Sequence, residues 1–575
     1  MKKLIFSTVL LISILTISAP SQTFLQKIAG NWEGTLEYLD YSKNQRVKLK
    51  TYLTVTPSGD GDSAEFFTVY DDFGRIIKKN ETIRIDLPAK KYVSGKYEYA
   101  IDSLSDKKIV LRGSGQDGET IEPIRLSIDF DESSLSFLKE TRTPWQFRNQ
   151  TIFKRVSENI LTKRTLPAAQ LNEDFAVLKK ALTAMHPGIY RYQTPESMEK
   201  LFDALEDKLK NPLPEGEFFK LLAQLTSQIY CGHTYLNPYN QNTMVGERLF
   251  GGKIDLPCYF QIIDGKMIVT ENASAQNLAK GSEIRKINGI PAKKIIEALL
   301  SVTKADGRNT LAHRVQSIGL TRFEAERYAL FDWYFPLFFP PPEDEIFTIE
   351  ATDFATRKTQ QFAIPAMSKA GRTAEMEKRY GKAPTYDDGW KFEIRDDRTA
   401  YLKIENSITW RLKEIKFKEF LADAFARLRA GNIKNLIIDL RGNDGGDTKL
   451  GFELARYLAK KNLPPYIASR RLIRNVAPQT DSAKFLDTYS EELKSDLQKG
   501  LPPNSYKKAE NDFFEILPNE NVTTYPPVTP DAGYFQGEAY IISDAGNASA
   551  TFQFLNFVKE NKLARIVGQE TGGNR

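Results

Sequence analysis

Between Leu25 and Arg155, apolar and polar positions alternate in short runs such as Tyr52-Leu53-Thr54-Val55, Ile109-Val110-Leu111 and Ile124-Arg125-Leu126-Ser127-Ile128. Turn-forming clusters, among them Pro57-Ser58-Gly59-Asp60 and Gly113-Ser114-Gly115, separate these runs. A period of two with such breaks predicts an all-β module over residues 23–156. The period then changes: Phe175, Leu178 and Leu182, and later Phe219, Leu222, Leu225 and Ile229, recur at helical spacing. Residues 165–247 are therefore predicted to be helical, interrupted at His186-Pro187-Gly188, with Gly232 as a helix stop directly before His233. Residues 248–368 mix the two patterns. From Trp390 onward, strand-like runs at Ala400–Ile404, Asn435–Leu440 and Ala539–Ile542 alternate with helical stretches at Phe417–Ala430, Leu450–Leu458 and Ala550–Lys559. That alternation predicts an α/β domain with crossover connections over residues 390–575, and a multidomain α+β protein as a whole.

A chain of 575 residues is too long for one hydrophobic core, which agrees with several domains. The charge balance, 80 Lys+Arg against 74 Asp+Glu, is spread without a basic block and argues against nucleic acid as a partner. Residues 1–22 read as a secretory signal: Lys2 and Lys3, an apolar run from Leu4 to Ile17, then small residues through Ala19 and Ser21. The apolar run is shorter than the roughly 20 residues of a spanning helix, and no later stretch reaches that length. An exported protein, periplasmic or extracellular, with no stable membrane span after cleavage is the expectation. Only two cysteines are present, Cys231 and Cys258, so this is no disulfide scaffold, and whether they pair is left open.

Two segments carry strand-to-helix turns of the kind that build sites. In Ser543-Asp544-Ala545-Gly546-Asn547-Ala548-Ser549-Ala550-Thr551-Phe552, small residues lead from an apolar strand into a helix and put Ser549 at the helix N-terminus. Free backbone N–H groups and the helix dipole there favour developing negative charge, which suits a serine nucleophile. An ordinary serine cap is the alternative. In Asp439-Leu440-Arg441-Gly442-Asn443-Asp444-Gly445-Gly446-Asp447 a glycine-rich turn follows another buried strand. Asp444 and Asp447 would repel phosphate and no Lys-Ser/Thr follows, so an oxyanion-binding loop or a plain tight turn fits better than a phosphate loop. The base is sought among three histidines. His186 precedes a proline and His313 sits mid-helix by pattern; His233, in Tyr230-Cys231-Gly232-His233-Thr234, is the candidate.

Taken in order, Gly232-His233-Thr234, the Leu278–Gly289 stretch, Asp439–Gly446 and Ser549-Ala550-Thr551 resemble the S41, tail-specific class of peptidases, from about Leu166 to the end. The Leu278–Gly289 stretch itself resembles part of a PDZ domain, though an Asn-Gly hairpin is the plainer reading, and Gly30-Asn31-Trp32 resembles the start of lipocalin-like barrels. The S41 resemblance implies Ser549 as nucleophile, the Ala550 N–H as one oxyanion donor and Gly445 or Gly446 as the other. Where the C-terminal processing branch carries a lysine after Thr-x-Gly, this chain has Asn574, which cannot act as a base. The resemblance is therefore closer to the tricorn-like branch, with His233 as general base and an orienting acid further along. The family's later strands do not follow Arg575, so the peptidase core over residues 390–575 is expected to be incomplete at its C-terminus and this chain weakly active or inactive.

The sequence thus leads to an expected order of signal (1–22), lipocalin-like β module (23–156), helical segment (165–247), PDZ-like region (248–368) and ClpP/crotonase-like peptidase core (390–575). The expected activity is serine-type hydrolysis of unfolded or short peptides without metal or organic cofactor. The competing expectation is a non-catalytic ligand- or peptide-binding protein on the same fold.

Overall fold

In a computed structural model of the protein, residues 23–573 are described apart from 41–44, 59–60, 73–74, 118–119, 157–163, 239–240, 242, 251–254, 308–313, 316, 323–329, 468–470, 484, 486–490 and 518–523. The expected signal, His313, Asn574 and Arg575 lie outside the described residues. The chain divides into two compact units, Met1–Thr162 with Asn240–Arg248, and Lys163–Tyr239 with Leu249–Arg575.

In the first unit the alternating runs become ten antiparallel strands, from Gly30–Asp40 to Gln146–Val156, that close into a barrel. Closure is visible at Trp32, which stands opposite Leu53 on one neighbouring strand and Arg155 on the other. Alternate side chains enter the interior, where Trp32, Leu53, Val55, Ile109, Leu111 and Ile128 are buried together. The indole N–H of Trp32 donates to the Ile28 carbonyl at 2.9 Å, and the Arg155 guanidinium lies 4.1 Å over its ring.

The second unit opens with helices α1 (Ala168–Met185), α2 (Pro195–Lys208) and α3 (Glu215–Ser227). Their apolar faces meet through Phe175, Phe202, Leu205, Leu221 and Leu225. The α2 start is specified locally: the Thr194 hydroxyl accepts the Ser197 N–H at 3.1 Å and Pro195 occupies the first helical position. Helix α3 ends at Ser227, before the expected stop at Gly232, and the chain reverses at Tyr230 with φ +56°. An antiparallel sheet follows, ordered Cys258–Ile263, Lys266–Asn272, Glu283–Ile287, Ile346–Thr352 and Thr359–Pro365. Asn288 and Gly289, at φ +50° and +74°, form its tight turn, pairing Ile287 with Ile290. Buried Arg372 pins this region by bonding Asp332 and the Leu256 carbonyl.

The last part is a sheet ordered β1 (Trp390–Ile394), β2 (Thr399–Ile404), β3 (Asn435–Asp439), β4 (Glu538–Ser543) and β5 (Arg565–Gly568). The pairs β2–β3, β3–β4 and β4–β5 are parallel, as crossover connections require. Helices α4 (Phe417–Ala430), α5 (Thr448–Leu458) and α6 (Ser549–Asn561) supply the crossovers and cover the sheet through Phe425, Leu454 and Phe554. The Asp447 carboxylate caps α5 by accepting the Lys449 N–H at 2.9 Å. In register, Lys403 faces Asp439 and Asp439 faces Ile542, so the loops after β3 and β4 leave the same end of the sheet. In such sheets this end is where ligands bind.

Candidate active site

Ser549 is the first residue of α6 but not its cap. The cap position is Ala548, which has no side-chain capping bond, and Ser549 itself holds φ +49°. A left-handed backbone in a non-glycine residue costs about 1 kcal/mol or more and persists only where neighbours impose it. Here the neighbour is Gly445, at φ +107°: a methyl group in its place would stand 2.7 Å from Ser549 Cβ and 2.9 Å from both the Ala548 carbonyl oxygen and the Ala550 nitrogen. Gly446, at φ +141°, passes as closely beneath Ser407, whose carbonyl oxygen would lie 2.3 Å from an added Cβ. Both glycines are thus required by close approach of backbone to backbone. Ser549 is half-buried, and its Oγ makes no hydrogen bond to a described residue.

The glycine loop and the start of α6 are tied through Asn443, 1 % exposed. Its Oδ1 accepts the Gly445 N–H at 3.1 Å, the Thr551 hydroxyl at 2.8 Å and the Ser407 hydroxyl at 3.1 Å. Its Nδ2 donates to the Ile404 carbonyl at 3.0 Å. The fully buried Asn547 donates to the carbonyls of Leu440 and Asn443 at 2.6 and 3.1 Å. A satisfied buried network of this kind fixes a single arrangement. These bonds also separate the two glycines. The Gly445 N–H is engaged by Asn443, whereas the Gly446 N–H makes no hydrogen bond to a described residue. At the base of the loop, buried Asp439 accepts the Tyr401 hydroxyl at 2.7 Å and the Arg441 side chain at 2.7 and 3.0 Å. Burial opposes the charge on Asp439, but the Arg441 and Tyr401 bonds outweigh it and hold the carboxyl below its usual range. Burial, and then the Asp439 contact, push the Tyr401 phenol up to about 12.

The structure brings together Ser549, Ala550, Gly445 and Gly446. It does not join His233 to them: His233 is exposed in the turn after α3, and its imidazole bonds neither Ser549 nor any other described residue. His186 instead contacts the same turn, its Nε2 lying 2.8 Å from Thr234 Oγ1. Burial, and then Arg474, hold His186 below the ordinary histidine range. It lines a cavity of about 890 Å³ with Tyr190, Tyr192, Tyr230, Arg474 and Phe513, and neither Ser549 nor His233 borders it. Both cysteines are free. Sequence reasoning missed Asn443, Ser407, Asn547 and Thr551. Three of these, Ser407, Asn443 and Asn547, lie in the loops that follow the strands, and Thr551 lies in the first turn of α6.

The parallel strands of the β1–β5 sheet present a serine at a helix start beside a glycine loop, at the end of the sheet where ligands bind. Residues 398–575 match the model of peptidase family S41. That match spans about a third of the chain and places this segment in a family of serine-type peptidases. A comparison with curated proteins returns no match. Among solved structures, mature CPAF complexed with lactacystin is similar at 13 % identity over 70 % of this chain and 85 % of its own, with a TM-score of 0.45. The photosystem II D1 C-terminal processing protease is similar at 12 % identity over 70 % and 81 %, with a TM-score of 0.30. The tricorn protease is similar at 12 % identity over 91 % and 59 %, with a TM-score of 0.16. These superpositions are too loose to transfer any residue's role. Among the described residues, no helix is long and apolar enough to cross a membrane.

Proposed function

We propose that the protein is an exported serine peptidase in which Ser549 is the nucleophile and His233 the general base. His233 removes the Ser549 proton as Oγ attacks a peptide carbonyl. The oxyanion then receives the Ala550 N–H, left uncapped at the start of α6, and the Gly446 N–H, since that of Gly445 is taken. Protonated His233 returns the proton to the leaving amine, and water releases the acyl group by the same path in reverse. Substrates are unfolded or short peptides, with the sheet spanning Cys258–Pro365 acting as a PDZ-like reader of their C-terminal ends. The observation that carries this reading is the strained, uncapped Ser549 held against Gly445, an arrangement that costs stability and gives a plain helix cap nothing.

The second reading, a binding protein without catalysis, is favoured by His233, which makes no bond to Ser549. Labelling with a serine-directed fluorophosphonate separates the two. The peptidase reading expects labelling of the wild type that disappears in Ser549→Ala and falls at least 100-fold in His233→Ala. Folded wild type that takes no label would sink it and leave the binding reading.

A further inference from the structure

Among the described residues, every residue of the turn that carries His233 is held except His233 itself. Tyr230 is in the left-handed region, and its carbonyl accepts the Gly307 N–H at 3.0 Å. The Gly232 N–H donates to Asp306 Oδ1 at 2.5 Å. A methyl group on Gly232 would come within 2.9 Å of all three atoms of that carboxylate. The Thr234 N–H closes the turn on the Cys231 carbonyl at 3.2 Å. The Thr234 hydroxyl donates to Cys231 Sγ at 3.4 Å and lies 2.8 Å from His186 Nε2. The Thr234 oxygen thus sits between Cys231 Sγ and His186 Nε2 and ties both to the turn. Tyr235, just beyond, has the Lys304 ammonium 3.9 Å over its ring.

We infer that His186, acting through Thr234, and Asp306, acting through Gly232, are positioning residues for His233, clamping the two sides of its turn so that the imidazole is presented on a fixed backbone. The inference rests on His233 being the general base. Its chemistry is that of any oriented base: rate depends on the fraction of time the imidazole nitrogen lies within reach of the serine proton, and a loose turn lowers that fraction without changing the groups that react. It also gives the Gly-His-Thr order a physical reason. The glycine leaves room for the Asp306 carboxylate, and the threonine supplies the hydroxyl that His186 grips.

The test is the second-order rate of fluorophosphonate labelling of Ser549 in the full chain, with thermal melting followed alongside. Thr234→Val keeps the side-chain shape and removes the hydroxyl, and Asp306→Ala removes the acceptor; each is expected to slow labelling at least tenfold. Thr234→Ser and Asp306→Asn restore a hydroxyl and a carbonyl acceptor, and are expected to restore the rate to within threefold of wild type. A purely structural role predicts instead that loss of rate follows loss of melting temperature and that the shape-conserving Thr234→Val behaves like wild type. If His233→Ala silences labelling while Thr234→Val and Asp306→Ala label at the wild-type rate, the positioning role is overturned and the Ser–His assignment stands. If His233→Ala labels like wild type, the base assignment fails and the positioning role falls with it.

Discussion

Replacing Asn443 by alanine removes a side chain that bonds to the exit of β2, the glycine loop and α6 at once. Four bonds disappear, but their loss is unequal. The Ser407 and Thr551 hydroxyls already lie 3.4 Å apart and can turn towards each other. The Gly445 N–H and the Ile404 carbonyl have no such alternative. A buried backbone group without a partner costs about 1–3 kcal/mol, so two orphans cost about 2–6 kcal/mol, with the lower end applying where water enters the vacated space. Unfolding of a chain with several domains does not give a single well-defined free energy, so local hydrogen exchange is the better assay. Peptides covering Asn435–Asp447 and Ser543–Phe552 should exchange roughly 30-fold faster or more, the equivalent of about 2 kcal/mol. The barrel strands between Gly30 and Val156 should be unchanged. Exchange within threefold of wild type in both core peptides would refute the idea that Asn443 ties the loop to the helix.

Gly446→Ala places a Cβ 2.3 Å from a backbone oxygen that cannot yield, so the loop must move; loss of the oxyanion donor predicts a fall in labelling rate of about 100-fold or more, and an unchanged rate would free Gly446 of that role. Ser549→Gly should be more stable than Ser549→Ala by about 1 kcal/mol, because only glycine holds φ +49° without cost. In a transition involving about 150–250 residues that is about 2–4 °C, and equal melting temperatures would show the serine backbone to be unstrained. Asp439 has a lowered carboxyl pKa, so its contribution to stability is fully present above the unfolded value of about 3.9 and is lost as the pH falls through its folded value. Asp439→Asn should accordingly flatten the acid limb of the stability profile, and a limb of unchanged slope would contradict the Arg441 and Tyr401 assignment. Burial pushes the Cys258 thiol up to about 12, while Cys231 is only half-buried, so Ellman's reagent should find one thiol in the native protein and two after denaturation.

What could be read from the sequence divides along a physical line. The strands and helices of the core follow from apolar runs and their period, and β3 and α4 lie where those runs predict because local pattern and burial agree. The approach of Ser549 to Gly445 was legible because it depends on backbone shape, and small residues at a strand-to-helix turn announce it. Asn443 and Thr551 were not, since an amide four residues past a strand is as often a turn former as a buried acceptor for three donors. Only the folding of β2, β3 and β4 side by side brings Ser407 and Thr551 to Asn443 across separations of 36 and 108 residues. The His186 contact with Thr234 was hidden for the same reason, being made between two chain reversals 48 residues apart. Sequence spacing therefore proposes the groups that would react, while the contacts around them became visible only once non-local packing was known. Substitutions at Asn443, His186 and Asp306 consequently test the site more sharply than further substitutions at Ser549, because they probe the part of the arrangement that no local pattern encodes.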